Sequence, residues 1–318
     1  MLTYFLFILG FIIIIKGADY LVDGASLLAK KLKVSDLVIG LTVVAFGTSM
    51  PELFVNIFAC LRGNTEIAIG NILGSNTFNI LIILGISSII RPITVGKGTV
   101  WKEIPLSLLA AVMVWVLAND VILENSTFSS LGRIDGLVLL SFFIIFLYYI
   151  ASISKEPTIT VQESQTKEMP NIKILFMLLA GFIGLFLGGK WIVEGAEHIA
   201  VRLGLSQSFV GFTIVAAGTS FPELATSIVA TYKKNMDIAV GNVVGSNIFN
   251  IFLILGISAA IKPLPFNKLA NADIVITIVA SLFLFFAMFT GKKKIIDRWE
   301  GILFILFYIA YITTLAVW

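Results

Sequence analysis

The sequence predicts an all-α integral membrane protein: ten transmembrane helices forming two inverted five-helix repeats, with helices 2, 3, 7 and 8 broken. Three observations predict it. The 318 residues are 58% hydrophobic and only 13% charged, with a mean hydropathy of +1.02, far from the balance of a water-soluble domain. Ten apolar stretches approach the roughly twenty residues needed to cross a hydrocarbon core. And "GTSMPEL" at 47–53 returns as "GTSFPEL" at 218–224.

The stretches lie at about 3–29, 37–61, 67–90, 103–119, 134–153, 172–200, 208–232, 238–261, 272–290 and 299–317. The first lacks a basic leader and a small-residue cleavage site, so it is expected to be a retained helix rather than a signal peptide. The second and seventh carry the GTS motifs, and the third and eighth carry "GNILGSNTFN" and "GNVVGSNIFN". Between the fifth and sixth, "SKEPTITVQESQTKEMP" is polar, proline-bearing and without hydrophobic periodicity. It reads as a cytoplasmic linker too short for a folded regulatory domain, dividing the chain into 1–153, 154–170 and 171–318.

Adding 171 to a number in the first half gives its counterpart in the second: Gly47 and Gly218, Glu52 and Glu223, Ser75 and Ser246, Asn79 and Asn250, Pro92 and Pro263. Five crossings per copy is an odd number, so the second copy must enter the membrane from the opposite side. Secondary transporters use that arrangement around a midplane site. Alternate assignment of the connections puts fifteen Lys and Arg on one side and five on the other, with Lys16 and Lys190 inside spans. The richer side is therefore expected to be cytoplasmic, with both termini extracellular in a multi-pass cell-membrane protein. The single cysteine, Cys60, cannot form an intrachain disulfide. No basic cluster with interleaved aromatics points to nucleic acid, and no obligatory protein partner is evident; the expected partners are ions and the lipid bilayer.

The two motifs carry polar chemistry at membrane depth. Pro51 and Pro222 lack an amide hydrogen, which frees the carbonyls of Gly47 and Gly218, and these glycines ease unwinding of the backbone. A glutamate follows each proline, and an ionisable group inside a membrane is costly unless it serves a site. Thr48, Glu52 and Asn56 are spaced by four, as are Thr219, Glu223 and Ser227, so each set lines one helix face. The next spans repeat the spacing with Asn71, Ser75 and Asn79, and with Asn242, Ser246 and Asn250. Gly70, Gly74, Gly241 and Gly245 are expected to let neighbouring backbones approach. The result is a cage of hard oxygen ligands suited to calcium or sodium, and less to magnesium with its strict octahedral demand.

These doubled motifs resemble the two alpha repeats of the sodium/calcium exchanger family, across essentially the whole chain. The resemblance implies exchange of sodium for calcium with no cofactor beyond the transported ions. It also implies alternating access in which the first and sixth helices move against the rest. By position it implies ion contacts from Glu52, Glu223, Thr48, Thr219, Ser49, Ser220, Ser75, Ser246, Asn79 and Asn250, and from the carbonyls of Ala45 and Ala216. Some prokaryotic members and the potassium-dependent branch carry aspartate where this chain has Asn250, which argues against potassium dependence. The two glutamates balance one calcium, so the implied exchange of three sodium ions would be electrogenic. Each charge moved across 100 mV is worth about 2.3 kcal/mol.

Blander roles compete at each position. Glu52 and Glu223 could form structural ion pairs, but neither motif holds a Lys or Arg within helical reach. The Ser, Thr and Asn residues could serve as interhelical hydrogen bonds, with Asn56, Asn71, Ser227 and Asn242 as supports. Asp19, Asp23, Lys16, Lys190 and Glu194 read as interfacial pairs, Arg133 with Asp135 and Arg298 with Glu300 as interface anchors, and His198 as a packed residue. An intramembrane hydrolase using Thr48 or Ser49 would need a base, and the sole histidine lies outside both motifs. A passive cation channel would show no sodium coupling. A proton-coupled calcium antiporter is the nearer alternative, although its "GNxxE" context is absent.

Overall fold

In the computed structural model of the protein, the described residues are 2–155, 169–202 and 216–317. Most of the expected linker, the start of the seventh expected span at 208–215, and Trp318 lie outside them. The principal helices are α1 (Leu2–Leu32), α2 (Asp36–Thr48), α3 (Met50–Arg62), α4 (Ile67–Ile90), α5 (Lys97–Leu117) and α6 (Arg133–Ile153). They are followed by α7 (Asn171–Arg202), α8 (Ala216–Thr219), α9 (Phe221–Tyr232), α10 (Met236–Ile261), α11 (Lys268–Ala287) and α12 (Arg298–Val317). Among the described residues seven helices are long and apolar enough to cross a membrane, or eight if α2 and α3 are one span bent by 44°. The chain is an all-helical membrane protein apart from four two-residue strands, which the sequence did not suggest.

Burial sorts the helices. The apolar windows of α4 and α10 are each 78% buried, against 28–39% for the other five long spans, so α4 and α10 form the centre of the bundle. Outer helices turn large apolar side chains outward, among them Phe5, Ile8, Ile144, Tyr148, Phe176 and Leu306, as a lipid-facing surface requires.

A second packing unit joins α1 to α7. Gly10, Gly17 and Gly24 on α1 face Gly181, Gly184 and Gly188 on α7 or their neighbours, so closely that a Cβ on Gly17 would stand 2.7 Å from the Leu185 nitrogen and 2.9 Å from the Gly181 oxygen. With no hydrophobic force between helices in lipid, such backbone contact is what holds a pair together.

The strands β1 (Ile93–Thr94), β2 (Ser130–Leu131), β3 (Leu264–Pro265) and β4 (Ile295–Ile296) form two short antiparallel ladders, β1 with β4 and β2 with β3. Each ladder ties a connection of the first half to one of the second.

Several expectations are revised. The breaks expected in the third and eighth spans are absent: α4 and α10 run on through π-helical turns at Asn79–Ile83 and Phe249–Leu255. Neither has a proline there to remove a donor, so the backbone widens by one residue per turn instead of parting. Lys190 pairs with Glu194 at 3.7 Å and Lys16 with Asp19 at 4.0 Å, as expected, and Lys233 also reaches Asp19 and Asp23, at 3.2 and 2.7 Å, which ties α1 to the end of α9. Asp135 and Glu300 cap their helices by accepting from the Gly132 and Asp297 amides at 2.7 Å. His198 packs edge-on against Tyr4, with ring centres 5.7 Å apart.

Candidate ion-binding site

The two GTS motifs sit where one helix ends and the next begins. α2 stops at Thr48, Ser49 takes φ −82°, ψ 6°, and α3 starts with Pro51 in its first turn; Ser220, at φ −89°, ψ 7°, separates α8 from α9 and Pro222 in the same way. Proline at a helix start has no donor to lose and a pre-set φ, so each proline begins a helix rather than breaking one from within. Glu52 and Glu223 fall in those first turns, where unpaired amides and the helix dipole favour negative charge. Gly47 and Gly218 stay inside regular helical turns, contrary to their expected unwinding. Their missing side chains instead make room for α7: a Cβ on Gly47 would lie 1.8 Å from the Phe182 ring, and one on Gly218 2.2 Å from a Val193 methyl.

Both glutamates are completely buried, and each is held by one serine from a helix junction and one from a central helix. Glu52 Oε1 accepts from Ser220 Oγ at 3.2 Å and Ser75 Oγ at 3.4 Å; Glu223 Oε1 accepts from Ser49 Oγ at 3.1 Å and Ser246 Oγ at 3.4 Å. Adding 171 to the members of one set, and subtracting it across the interface, yields the other. Thr48 donates to Asn242 Oδ1 at 3.0 Å and Thr219 to Asn71 Oδ1 at 3.2 Å. Behind them Asn71 donates to Asn56 at 2.8 Å and Asn242 to Ser227 at 2.9 Å, while Asn56 and Ser227 donate to the carbonyls of Ala68 and Ala239.

Asn79 and Asn250 are buried beside this frame. Asn79 Nδ2 donates to Asn247 Oδ1 at 3.0 Å and Asn250 Nδ2 to Asn76 Oδ1 at 2.9 Å. Asn76 and Asn247 were not singled out in the sequence, because they lie off the i, i+4 stripe that carries Ser75 and Asn79. Their appearance in both copies of "GSNxFN" was the available signal. Gly241 and Gly245 pack on Gly40–Ala45 as small faces should; around Gly70 and Gly74 no described atom comes within 4 Å of a Cβ position. The Ala45 carbonyl already accepts from the Ser49 amide at 3.0 Å, and it lies 3.2 Å from Thr48 Oγ1 as the alternative to Asn242 for that hydroxyl's one proton, so contact with an ion would compete with the amide bond. Ala216 is the first described residue of α8.

What remains after these bonds are drawn is a set of orphaned acceptors. Glu52 Oε2, Glu223 Oε2, Asn79 Oδ1 and Asn250 Oδ1 are buried without a hydrogen-bond partner. Among the described residues no ion pair reaches either glutamate. Buried acceptors without a donor are expensive and buried carboxylates without a cation more so, unless a cation is the intended partner. Two carboxylate and two amide oxygens with a formal charge of −2 fit a hard divalent cation, or sodium ions replacing it. A cleft of about 220 Å³, lined by Pro51, Val55, Phe186, Lys190, Thr219 and Pro222 among others, reaches the two helix junctions, and beside it lies one of about 520 Å³ that extends to Arg62.

Residues 2–151 and 173–317 match the family described as sodium/calcium exchanger protein. The chain is 32% identical over 347 residues to the sodium/calcium exchanger MaX1 of Methanosarcina acetivorans, covering 98% of both. It is 35% identical over 298 residues to the inner membrane protein YrbG of Escherichia coli, covering 91% of this chain and 89% of that one. Among solved structures, the sodium-calcium exchanger NCX_Mj, soaked with 2.5 mM sodium and 0.1 mM calcium, superposes with a TM-score of 0.82 at 36% identity over 99% of both chains. With a family match along both halves and relatives of this identity spanning nearly its full length, the chain belongs to the sodium/calcium exchanger family.

Proposed function

We propose that the protein is a secondary active antiporter that exchanges sodium for calcium across a cell membrane. The observation that carries this reading is the group of four orphaned buried oxygens, two of them on carboxylates with no cationic side chain to neutralise them. The chain's similarity to named exchangers points the same way. Glu52, Glu223, Asn79 and Asn250 would contact the ions through those oxygens. Ser49, Ser220, Ser75, Ser246, Thr48 and Thr219 have lone pairs that can turn inward when an ion draws them.

The architecture proposed with this function is ten crossings in two inverted repeats, 1–153 and 171–318, joined by the linker 154–170. The paired hydrogen bonds related by 171 support it, because only a two-fold relation makes each half complete the other's site. The strand ladders support it too: they join 93–94 to 295–296 and 130–131 to 264–265, connections that the charge count puts on common sides. That count places both termini outside. The glycine-faced pair α1 and α7 is the proposed moving body of an alternating-access cycle, and the clefts toward Arg62 are then the extracellular approach. With a site charge of −2, one calcium is balanced, and a three-sodium exchange is electrogenic. No enzymatic step, cofactor or protein partner enters the cycle.

Proteoliposomes test it. With sodium loaded inside, an outward sodium gradient should drive uptake of radioactive calcium, and an inside-positive potential should accelerate it if three sodium ions leave. Uptake indifferent to sodium but driven by a pH gradient would favour the proton-coupled alternative. Adding potassium to either side should change the rate by less than about twofold, since the neutral Asn250 supplies no third carboxylate to balance a further cation; strict potassium dependence would contradict this assignment.

A further inference from the structure

We infer that Asn76 and Asn247 are positioning residues that fix which end of the Asn250 and Asn79 amides faces the ions. The inference rests on the ion site proposed above and adds a requirement to it. An amide side chain is nearly symmetric in shape but not in charge. Turned one way it offers a cation an oxygen, and turned the other way it confronts the cation with an NH₂ group, so a site built on asparagine needs something to set its polarity.

For Asn250 the structure sets it from the backbone outward. Asn76 Nδ2 donates to the main-chain carbonyl of Asn247 at 3.2 Å. A carbonyl can only accept, so that end of the Asn76 amide must be the nitrogen and the other end must be Oδ1. Asn76 Oδ1 can in turn only accept, and it takes Nδ2 of Asn250 at 2.9 Å. The remaining atom of Asn250 is then Oδ1, which is buried and unpartnered. On the other half, Asn79 Nδ2 is taken by Asn247 Oδ1 at 3.0 Å, leaving Asn79 Oδ1 equally free. Asn76 and Asn247 are themselves 1% and 2% exposed, so water does not compete for these bonds. Each positioning residue comes from the half opposite the amide it orients, so neither half alone can present its oxygen.

A second relay in the same region obeys the same logic. The Ala68 carbonyl fixes Asn56, Asn56 Oδ1 takes Asn71 Nδ2, and Asn71 Oδ1 is left to receive the Thr219 hydroxyl. There the relay ends on a donor and no oxygen is left over. At Asn79 and Asn250 it ends on nothing, which marks these two amides as the ones directed at an ion.

The test is a double-mutant cycle read by calcium-45 uptake into sodium-loaded proteoliposomes. Asn76→Ala frees Asn250 to turn its NH₂ inward, and the KM for calcium should rise about tenfold, the size of one lost partner at a buried polar group. The maximal rate should stay within about twofold. In an Asn250→Asp background the outcome should differ, because a carboxylate offers oxygen whichever way it sits. There Asn76→Ala should not raise KM further. Equal increases in both backgrounds, or an unchanged KM in Asn76→Ala alone, would overturn the inference. The mirror cycle, Asn247→Ala with Asn79→Asp, applies the same criterion to the other half, and failure of both alanine variants to fold would assign these residues to stability instead. Glu52→Gln separates the two levels: if it retains calcium uptake the ion site itself is misplaced, whereas if it is dead while Asn76→Ala is normal only the positioning role fails.

Discussion

Glu52→Gln and Glu223→Gln are each expected to reduce sodium-driven calcium uptake by at least about a hundredfold while leaving the protein folded. The amide keeps an oxygen to accept from the serines now bonded to Oε1, so the local frame survives. What disappears is one of only two negative charges in a site that water does not reach. Removing one partner of a buried charge interaction costs about 3–5 kcal/mol, which is more than a hundredfold in affinity. Stability should move the other way. Without calcium the wild type holds carboxylates whose Oε2 atoms have no donor, so each Gln variant should melt at the same temperature or higher in calcium-free detergent. Calcium at one hundred times its Kd should stabilise the wild type by about 2.7 kcal/mol and the variants hardly at all. A Gln variant that still gained thermal stability from calcium would place the ion elsewhere.

Gly17→Val should be strongly damaging although it lies outside the ion site. The new Cβ would meet Leu185 N, Gly181 O and Gly184 C at 2.7–2.9 Å, all backbone atoms that no rotamer change can move aside. α1 and α7 must then separate along a contact that only their close approach makes favourable. A loss of at least about 1–3 kcal/mol follows from overpacking, read as a lower thermal midpoint in detergent. Transport should fall with it, since the pair is the proposed moving body. Gly98→Ala is the control: no described atom lies within 4 Å of that position, and the substitution should be silent in both measurements. A normal midpoint and normal uptake in Gly17→Val would show that α1 and α7 are not packed backbone to backbone.

The membrane class and the two copies of the motif follow from composition and from the constant offset of 171, because both are properties of the chain read along its length. The pairing of Glu52 with Glu223 was legible for the same reason, since a repeated carboxylate at membrane depth has few other uses. The behaviour of the backbone around them was not. Pro51 and Pro222 read as breakers, and the helices do part just before them, α2 from α3 with a 44° bend and α8 from α9, with each proline in the first turn of the new helix; Gly47 and Gly218 read as unwinders but clear space for Phe182 and Val193. Proline and glycine each have two uses, and the choice depends on where the neighbouring element ends and what packs against it. Asn76 and Asn247 recur in both copies of the motif, but their role was not legible because their partners lie across the interface, about 170 residues away in sequence. Sequence alone thus determined which oxygens are available and that they come twice. Only the tertiary structure decided which of them are already used by hydrogen bonds and which are left without a partner, because hydrogen-bond satisfaction depends on contacts between distant segments.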